Sequence, residues 1–287
     1  MNHLHRHEPL LGTAVHIDVH GPQPAARLET EVTKAFELVR GVGRLMDFNE
    51  ADSDVARLNR CAHVAPLRVH PWTWQVIEKA LGLSADTEGA FDITIAPRQV
   101  RNGHLPRHGS FRSMGEAAQW DHIEMLEGSR IRFRQPLMID LAEIARGFAV
   151  DKAIDWLATR GLAGAMVKAG GDLRIHGKGL SVPRAELPAE ERLPGVMLRP
   201  AVATSAAYFA RRPGGLARVP PIAHPRTGKP LRSNVSVSVF ADTCTQAEAL
   251  TKAVLLAPQS LWNRALQEAN SLALFITRQD EQVLYPA

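Results

Sequence analysis

Cysteine is scarce in this 287-residue chain: only Cys61 and Cys244 occur, far apart and without a CxxC pair. That excludes a disulfide framework and a cysteine-based zinc site. Aromatic residues make up 6% of the chain and charged residues 22%. The 34 Lys and Arg slightly outnumber the 30 Asp and Glu, but basic residues are scattered among acids rather than run together. Without a basic and aromatic array, nucleic-acid binding is not expected. Long apolar runs are missing too. No stretch approaches the roughly 18 residues of a membrane span, and Met1 to His7 opens with neither an apolar h-region nor a lipobox cysteine. The expectation is a chain with no membrane span that works in the cytoplasm. Low-complexity tracts are also lacking, which argues against disorder, and the 45% apolar content suffices for a large core.

Periodicity supplies the elements. Leu10 to His20 alternates weakly and reads as a strand beginning at Gly12-Thr13. From Ala25 to Met46, the residues Leu28, Val32, Phe36, Val39, Val42 and Met46 recur at spacings of three and four, one face of a long helix. Ser53 is placed to cap a short helix carrying Val55 and Leu58, and a further helix runs from about Thr73 to Thr87. The segment from Phe91 to Pro97 is β-prone, residues 100–118 read as a loop, and strands are expected near 122–126, 130–134 and 137–141. A helix over about Ala145–Arg160, a strand over Ala163–Lys168 and a proline-containing loop over 178–196 follow. The last third reads strand (234–240), helix (246–256), helix (259–269), strand (271–277) and a terminal strand near 282–285. Without regular βαβ alternation the fold class is α+β, a single domain over 1–287 with a mixed or antiparallel sheet core and packed helices.

Four junctions combine glycine or acid with the end of an apolar element. In Phe91-Asp92-Ile93-Thr94, an extended backbone points Asp92 and Thr94 to one face, where a carboxylate and a hydroxyl suit a ribityl or ribose chain; the alternative is an Asx-type turn. In Ile139 to Asp151, an apolar strand ends at Asp140 and a helix opens around Arg146-Gly147. Its free N–H groups beside Arg146 suit a pyrophosphate, unless Asp140 only caps the helix and Arg146 pairs with an exposed acid. Lys168 to Asp172 runs into Gly170-Gly171, which permit close backbone approach or merely a turn. His224-Pro225-Arg226-Thr227-Gly228 is a turn that displays a cation and a hydroxyl. Separately, Thr245-Gln246-Ala247-Glu248 matches a helix capping box, which gives Glu248 a structural task.

The order of these blocks carries more than any one of them. Met46-Asp47-Phe48 leading to Asp52-Ser53-Asp54 and Arg57-Leu58-Asn59, then FDITIAP, IDLAEIARGFAVD, KAGGDLR, VATSAAY (202–208), HPRTG and AEALTK (247–252), resembles the ApbE family of FAD:protein FMN transferases over roughly residues 10–256. The resemblance implies a single-domain α+β fold that binds FAD, needs Mg²⁺, and transfers FMN to a Thr or Ser of an acceptor flavoprotein with release of AMP. By position it implies an FAD site of Leu11, Asn49, Asp92, Thr94, Asp140, Arg146, Gly170, Gly171, Ile222, Ala223 and Thr227. Asp140, Arg146 and Glu248 take the catalytic places.

Departures from the family pattern concentrate at the metal. The corresponding positions are Glu143, which contributes a main-chain oxygen in the family, Glu248 and Lys252, and Lys252 replaces the usual Thr ligand. Arg146 stands where Lys is usual, Asn49 where many relatives carry Tyr, His224 where the turn usually begins with Asp, and Ala206 where a Gly follows Thr-Ser. Two alternatives follow from these changes: a flavin-binding or flavin-delivery protein impaired in transfer, and an FAD pyrophosphatase.

Overall fold

The structure is a computed structural model that describes residues 1–107, 120–180, 199–206, 222–231, 233, 235–277 and 282–285. Most of the loop expected over 100–118, residues 181–196 of the loop expected over 178–196, and Ala207-Tyr208 of the VATSAAY block lie outside the described residues.

The chain opens with a hairpin, β1 (Asn2–Leu10) and β2 (Thr13–Gly21), whose full-length antiparallel register pairs Asn2 with Gly21 and Leu10 with Thr13. The expected strand beginning near Gly12-Thr13 is β2; β1 was not anticipated. Its polar, histidine-rich sequence has no alternating apolar face, so only the pairing with β2 makes it a strand. The two-residue turn between them holds Leu11 at φ 53° and Gly12 at φ 71°, the geometry that a tight hairpin needs. In β2, Val15, Ile17 and Val19 are fully buried while their neighbours face outward.

Helices α1 (Ala25–Met46), α2 (Asp54–Cys61) and α3 (Pro71–Asp86) follow, with β3 (Leu67–Arg68) between α2 and α3. Every apolar position of the periodic stripe in α1 is buried, and Ser53 caps α2 by accepting from the Ala56 N–H. The β-prone stretch at 91–97 is instead a 3-10 turn over Ile93–Ile95 running into α4 (Ala96–Arg101). Asp92 accepts from the Thr94 N–H at 2.7 Å and so starts a helical turn, and Pro97 fits the first turn of a helix better than a central strand.

β4 (Ile123–Leu126) and β5 (Arg130–Phe133) pair with β3 in a small sheet of order β3-β5-β4. The third strand expected nearby, at 137–141, belongs to no ladder. The Asn59 side chain takes the place of a neighbouring strand there, donating to the Ile139 carbonyl at 3.0 Å and accepting from its N–H at 2.8 Å. One buried amide thus satisfies a buried peptide.

α5 (Ala145–Ala158), β6 (Gly164–Ala169), β7 (Asp172–Gly177), β8 (Ala201–Ala206), β9 (Val235–Ala241), α6 (Cys244–Leu256), α7 (Gln259–Glu268), β10 (Leu272–Thr277) and β11 (Gln282–Tyr285) complete the described elements. The main sheet has eight strands in the order β1-β2-β6-β7-β8-β9-β10-β11, with every neighbouring pair antiparallel. Helices pack on the sheet: α5 lies against β6 and β7, α6 against β8 and β9, and α1 against α5. The architecture is α+β, as expected. Among the described residues no helix is long and apolar enough to cross a membrane.

The crossing of α5 and α6 is unusually close and sets the site. A side chain at Gly147 would meet the Cys244 carbonyl closer than Cβ atoms pack, so only glycine fits. Each helix also caps the other. Asp151 of α5 accepts from the Cys244 and Thr245 N–H groups at 2.8 and 2.9 Å, and from the Thr245 hydroxyl. Glu248 of α6 accepts from the Gly147 N–H at 2.8 Å, in the first turn of α5. Both carboxylates sit at positive helix ends and satisfy donors that the helices leave unpaired. The Thr245–Glu248 capping box is therefore corrected. Thr243 is the N-cap of α6, Thr245 turns its hydroxyl to Asp151, and Glu248 serves the other helix. Gly147→Ala is expected to lower unfolding stability by about 1–3 kcal/mol through overpacking, measured by urea denaturation; an unchanged midpoint would show that the crossing has slack.

Candidate active site

A cleft opens beside this crossing, lined by Phe91, Asp92, Ile93, Asp140, Glu143, Ile222, Ala223, Pro225 and Lys252 among others. Four local structures supply them: the turn before α4, the segment leading to α5, the turn over 222–230, and α6. That last turn is closed by the Ala223–Pro230 bridge and by hydrogen bonds from the His224 N–H to Lys229 and from the Gly228 N–H to His224. Lys252 comes from the third turn of α6.

Asp92 and Asp140 are both buried. Asp92 accepts from the Thr94 N–H and hydroxyl, each at 2.7 Å, and Asp140 accepts from the Ala142 N–H at 3.2 Å. Burial pushes each from 3.8 to about 6 despite these bonds. For Asp140, the charges of Glu143 and Asp47 push the same way. Thr94 thus spends its hydroxyl on Asp92 in an Asx-type turn, rather than standing beside it on a strand face. Asp140 does not cap α5 either: it holds a turn at Ala142, and the helix begins at Ala145.

Behind the cleft lies a charge cluster. Arg146 donates to Asp172 at 3.0 Å through Nε and to Glu248 at 3.0 Å through Nη2. The expected exposed partner is thus replaced by two acids that are almost fully buried. Lys252 Nζ lies 2.6 Å from Glu143 Oε2, 2.7 Å from Ser205 Oγ and 3.5 Å from Thr251 Oγ1. Its ammonium therefore sits within a cage of three oxygens, matching its three N–H donors. Burial opposes the charge on Glu143, yet the Lys252 ammonium pulls this acid below its usual range. Burial pushes Asp172 and Glu248 upward against the pull of Arg146, and Asp172 adds to the push on Glu248. Arg146 is locked in its charged form by Glu248, against burial, and by Asp172. Three acids surround two cations, so the upward push relieves the excess negative charge.

The arrangement does not fit a magnesium ion at Glu143, Glu248 and Lys252. Such an ion demands near-octahedral oxygen ligands. Both Glu248 oxygens are held by N–H donors, and a lysine ammonium offers no lone pair, which leaves only the Glu143 main-chain oxygen of the implied set.

Of the residues expected at the site, Asp92, Asp140, Glu143, Ile222, Ala223 and Lys252 line the cleft, with Arg146 and Glu248 directly behind them. Thr94 is bonded to Asp92 there, and the others are not among the lining residues. Leu11 is in the hairpin turn against α1, and Asn49 is exposed and donates to Asp47. Gly170-Gly171 form the β6–β7 turn, and Thr227 is exposed and accepts from the Lys229 N–H. Asp151, Asp172 and Ser205 were not singled out as site residues. Asp151 and Asp172 end the IDLAEIARGFAVD and KAGGD blocks, but nothing local distinguishes an acid that reaches another helix from one that ends a turn.

A helix-flanked antiparallel sheet carries a cleft in which two buried acids, both pushed up to about 6, and a caged ammonium can exchange protons with a ligand. The chain belongs to the ApbE family, whose profile matches residues 11–276. It is 28% identical over 297 residues to the FAD:protein FMN transferase of Vibrio cholerae, covering 97% of this chain and 88% of that protein. It is also 28% identical over 282 residues to the enzyme of the same name from Treponema pallidum, covering 86% and 77%. Among solved structures, a mutant of the flavin transferase ApbE of Vibrio cholerae superposes with a TM-score of 0.77 at 27% identity, covering 99% of this chain and 97% of that one.

Two stability outcomes follow. Arg146→Ala leaves two buried acids without their cation and is expected to cost about 3–5 kcal/mol; a loss near zero in denaturant titration would remove Arg146 from the cluster's support. Asp140 binds its proton more tightly in the folded chain than in the unfolded one. Stability therefore falls as pH rises from 3.8 through about 6, and the ionised group above that window costs about 3 kcal/mol. Asp140→Asn should raise the midpoint at pH 8 and leave it nearly unchanged at pH 4; equal effects at both pH values would contradict this.

Proposed function

We propose that this chain is an FAD:protein FMN transferase that works as a single domain on a Thr or Ser of an acceptor flavoprotein. Membership of the ApbE family and the names of its relatives support the reaction class. The observation that carries the reading for this chain is the buried Asp140 carboxyl, titrating near 6, in the same cleft as the Lys252 ammonium. In the reaction, the acceptor hydroxyl oxygen bonds to the phosphorus of the FMN half, the phosphoanhydride bond breaks, and AMP leaves with its bonding electrons. The hydroxyl proton goes to Asp140, which is ionised at neutral pH yet basic enough to accept it. Lys252 faces the charge that develops on the leaving phosphate, and the fixed Arg146 behind it adds to the positive field. Ile222, Ala223 and Phe91 supply an apolar wall suited to a flat ring. The magnesium that the resemblance implies has no matching ligand set at these positions, and no step here depends on it. The cytoplasm is proposed as the place of reaction.

The altered charge cluster favours one second reading, a protein that binds or delivers FAD without transferring FMN. Incubation of the purified chain with FAD and an acceptor bearing a flavinylation motif separates them. The transferase reading expects AMP release matched by covalent fluorescence on the acceptor. FAD binding without AMP supports delivery, and AMP with free FMN supports a pyrophosphatase. Lys252→Ala should lower turnover by about 10²-fold with FAD affinity changed far less; unchanged turnover would remove Lys252 from the chemistry.

A further inference from the structure

Outside the cleft, the β1–β2 hairpin gathers histidines on its outer face. Five of the chain's 12 histidines lie within the first 20 residues. The register sets His7 opposite His16 and His5 opposite Asp18, so cross-strand partners and residues two apart share one face. Ring centroids are 5.4 Å apart for His7 and His16, 5.6 Å for His5 and His16, and 6.2 Å for His5 and His7. One ring nitrogen from each of the three lies within 4.8 Å of the others. None of the cleft-lining residues comes from this hairpin.

We propose that His5, His7 and His16 form a surface site for a borderline divalent transition cation, with zinc as the cation. Three imidazoles are a donor set for such an ion rather than for magnesium or calcium, which take oxygen ligands. Zinc–nitrogen bonds of about 2.0–2.1 Å bring the nitrogens closer together than they stand here, and rotation of partly exposed side chains on a fixed strand pair supplies that closure. The site has an orienting carboxylate as well. Asp18 Oδ2 is 2.8 Å from His5 Nδ1, which holds that ring and leaves Nε2 as its metal-facing nitrogen. The other Asp18 oxygen is 3.2 Å from His3 Nε2. Asp18 thus offsets the charge of a bound cation, while Lys168, opposite His16 on β6, opposes it. Two ligands from β1 and one from β2 tie the edge strand of the main sheet to its neighbour, and water completes the coordination.

The site is independent of flavin chemistry, and its test does not involve turnover. The chain is stripped with EDTA, dialysed, and titrated with zinc chloride at pH 7.5 by calorimetry, in parallel with the His7→Gln/His16→Gln double variant. The expected result is one zinc per chain with Kd at or below the micromolar range, weakened at least tenfold in the double variant. The variant should keep the parent's melting temperature in EDTA, since both positions are solvent-facing. Cobalt chloride should give visible d–d absorption with the parent and not with the variant. No zinc binding by the parent at 100 micromolar zinc, or equal affinity and stoichiometry in both proteins, would overturn the proposal.

Discussion

Everything at the cleft depends on two helices that cap one another. Where α5 and α6 cross at Gly147, Asp151 of one holds the first N–H groups of the other, and Glu248 returns the bond. Helix ends are costly to bury with unpaired donors, and here both ends are buried because each partner supplies a carboxylate. The same contacts fix the rotation of α5, which directs Arg146 to Asp172 and Glu248. They also fix that of α6, which directs Lys252 to Glu143 and Ser205.

The charge cluster behind the cleft shows how a lysine sets a site's logic. A lysine at 252 brings its own positive charge, and Glu143 and Ser205 close on the ammonium rather than offering ligands to an ion. A lysine ammonium is a compact point charge well suited to meet phosphate oxygens. Here its three N–H groups already face three oxygens, so it acts on a phosphate through its charge rather than through a free donor. Asp172 and Glu248 hold Arg146, and burial pushes both acids upward, with Asp172 adding to the push on Glu248, whereas the Lys252 ammonium pulls Glu143 down.

Much of this was legible in the sequence. The stripe in α1, the Ser53 cap, the β4 and β5 strands and the elements of the last third follow from periodicity and turn residues, because local propensity and burial agree there. The blocks around Asp92, Asp140, Ile222 and Lys252 marked residues that the fold brings to one cleft. What sequence could not show depends on partners distant in the chain. β1 is a strand only because β2 pairs with it. Residues 137–141 join no ladder, and there the Asn59 side chain bonds the Ile139 peptide and the Asp140 N–H donates to Ile93. Glu248 looked like the cap of its own helix, since the spacing from Thr245 is the same whether the carboxylate turns back or reaches across.

A double-mutant cycle on Asp151→Asn and Glu248→Gln, read by urea unfolding, addresses the reciprocal cap most directly. If the two carboxylates seat a single crossing, their losses are not independent, and a coupling energy of at least about 0.5 kcal/mol is expected. Losses that add to within about 0.3 kcal/mol would mean that each helix is held separately, and would contradict the view that one crossing positions both Arg146 and Lys252.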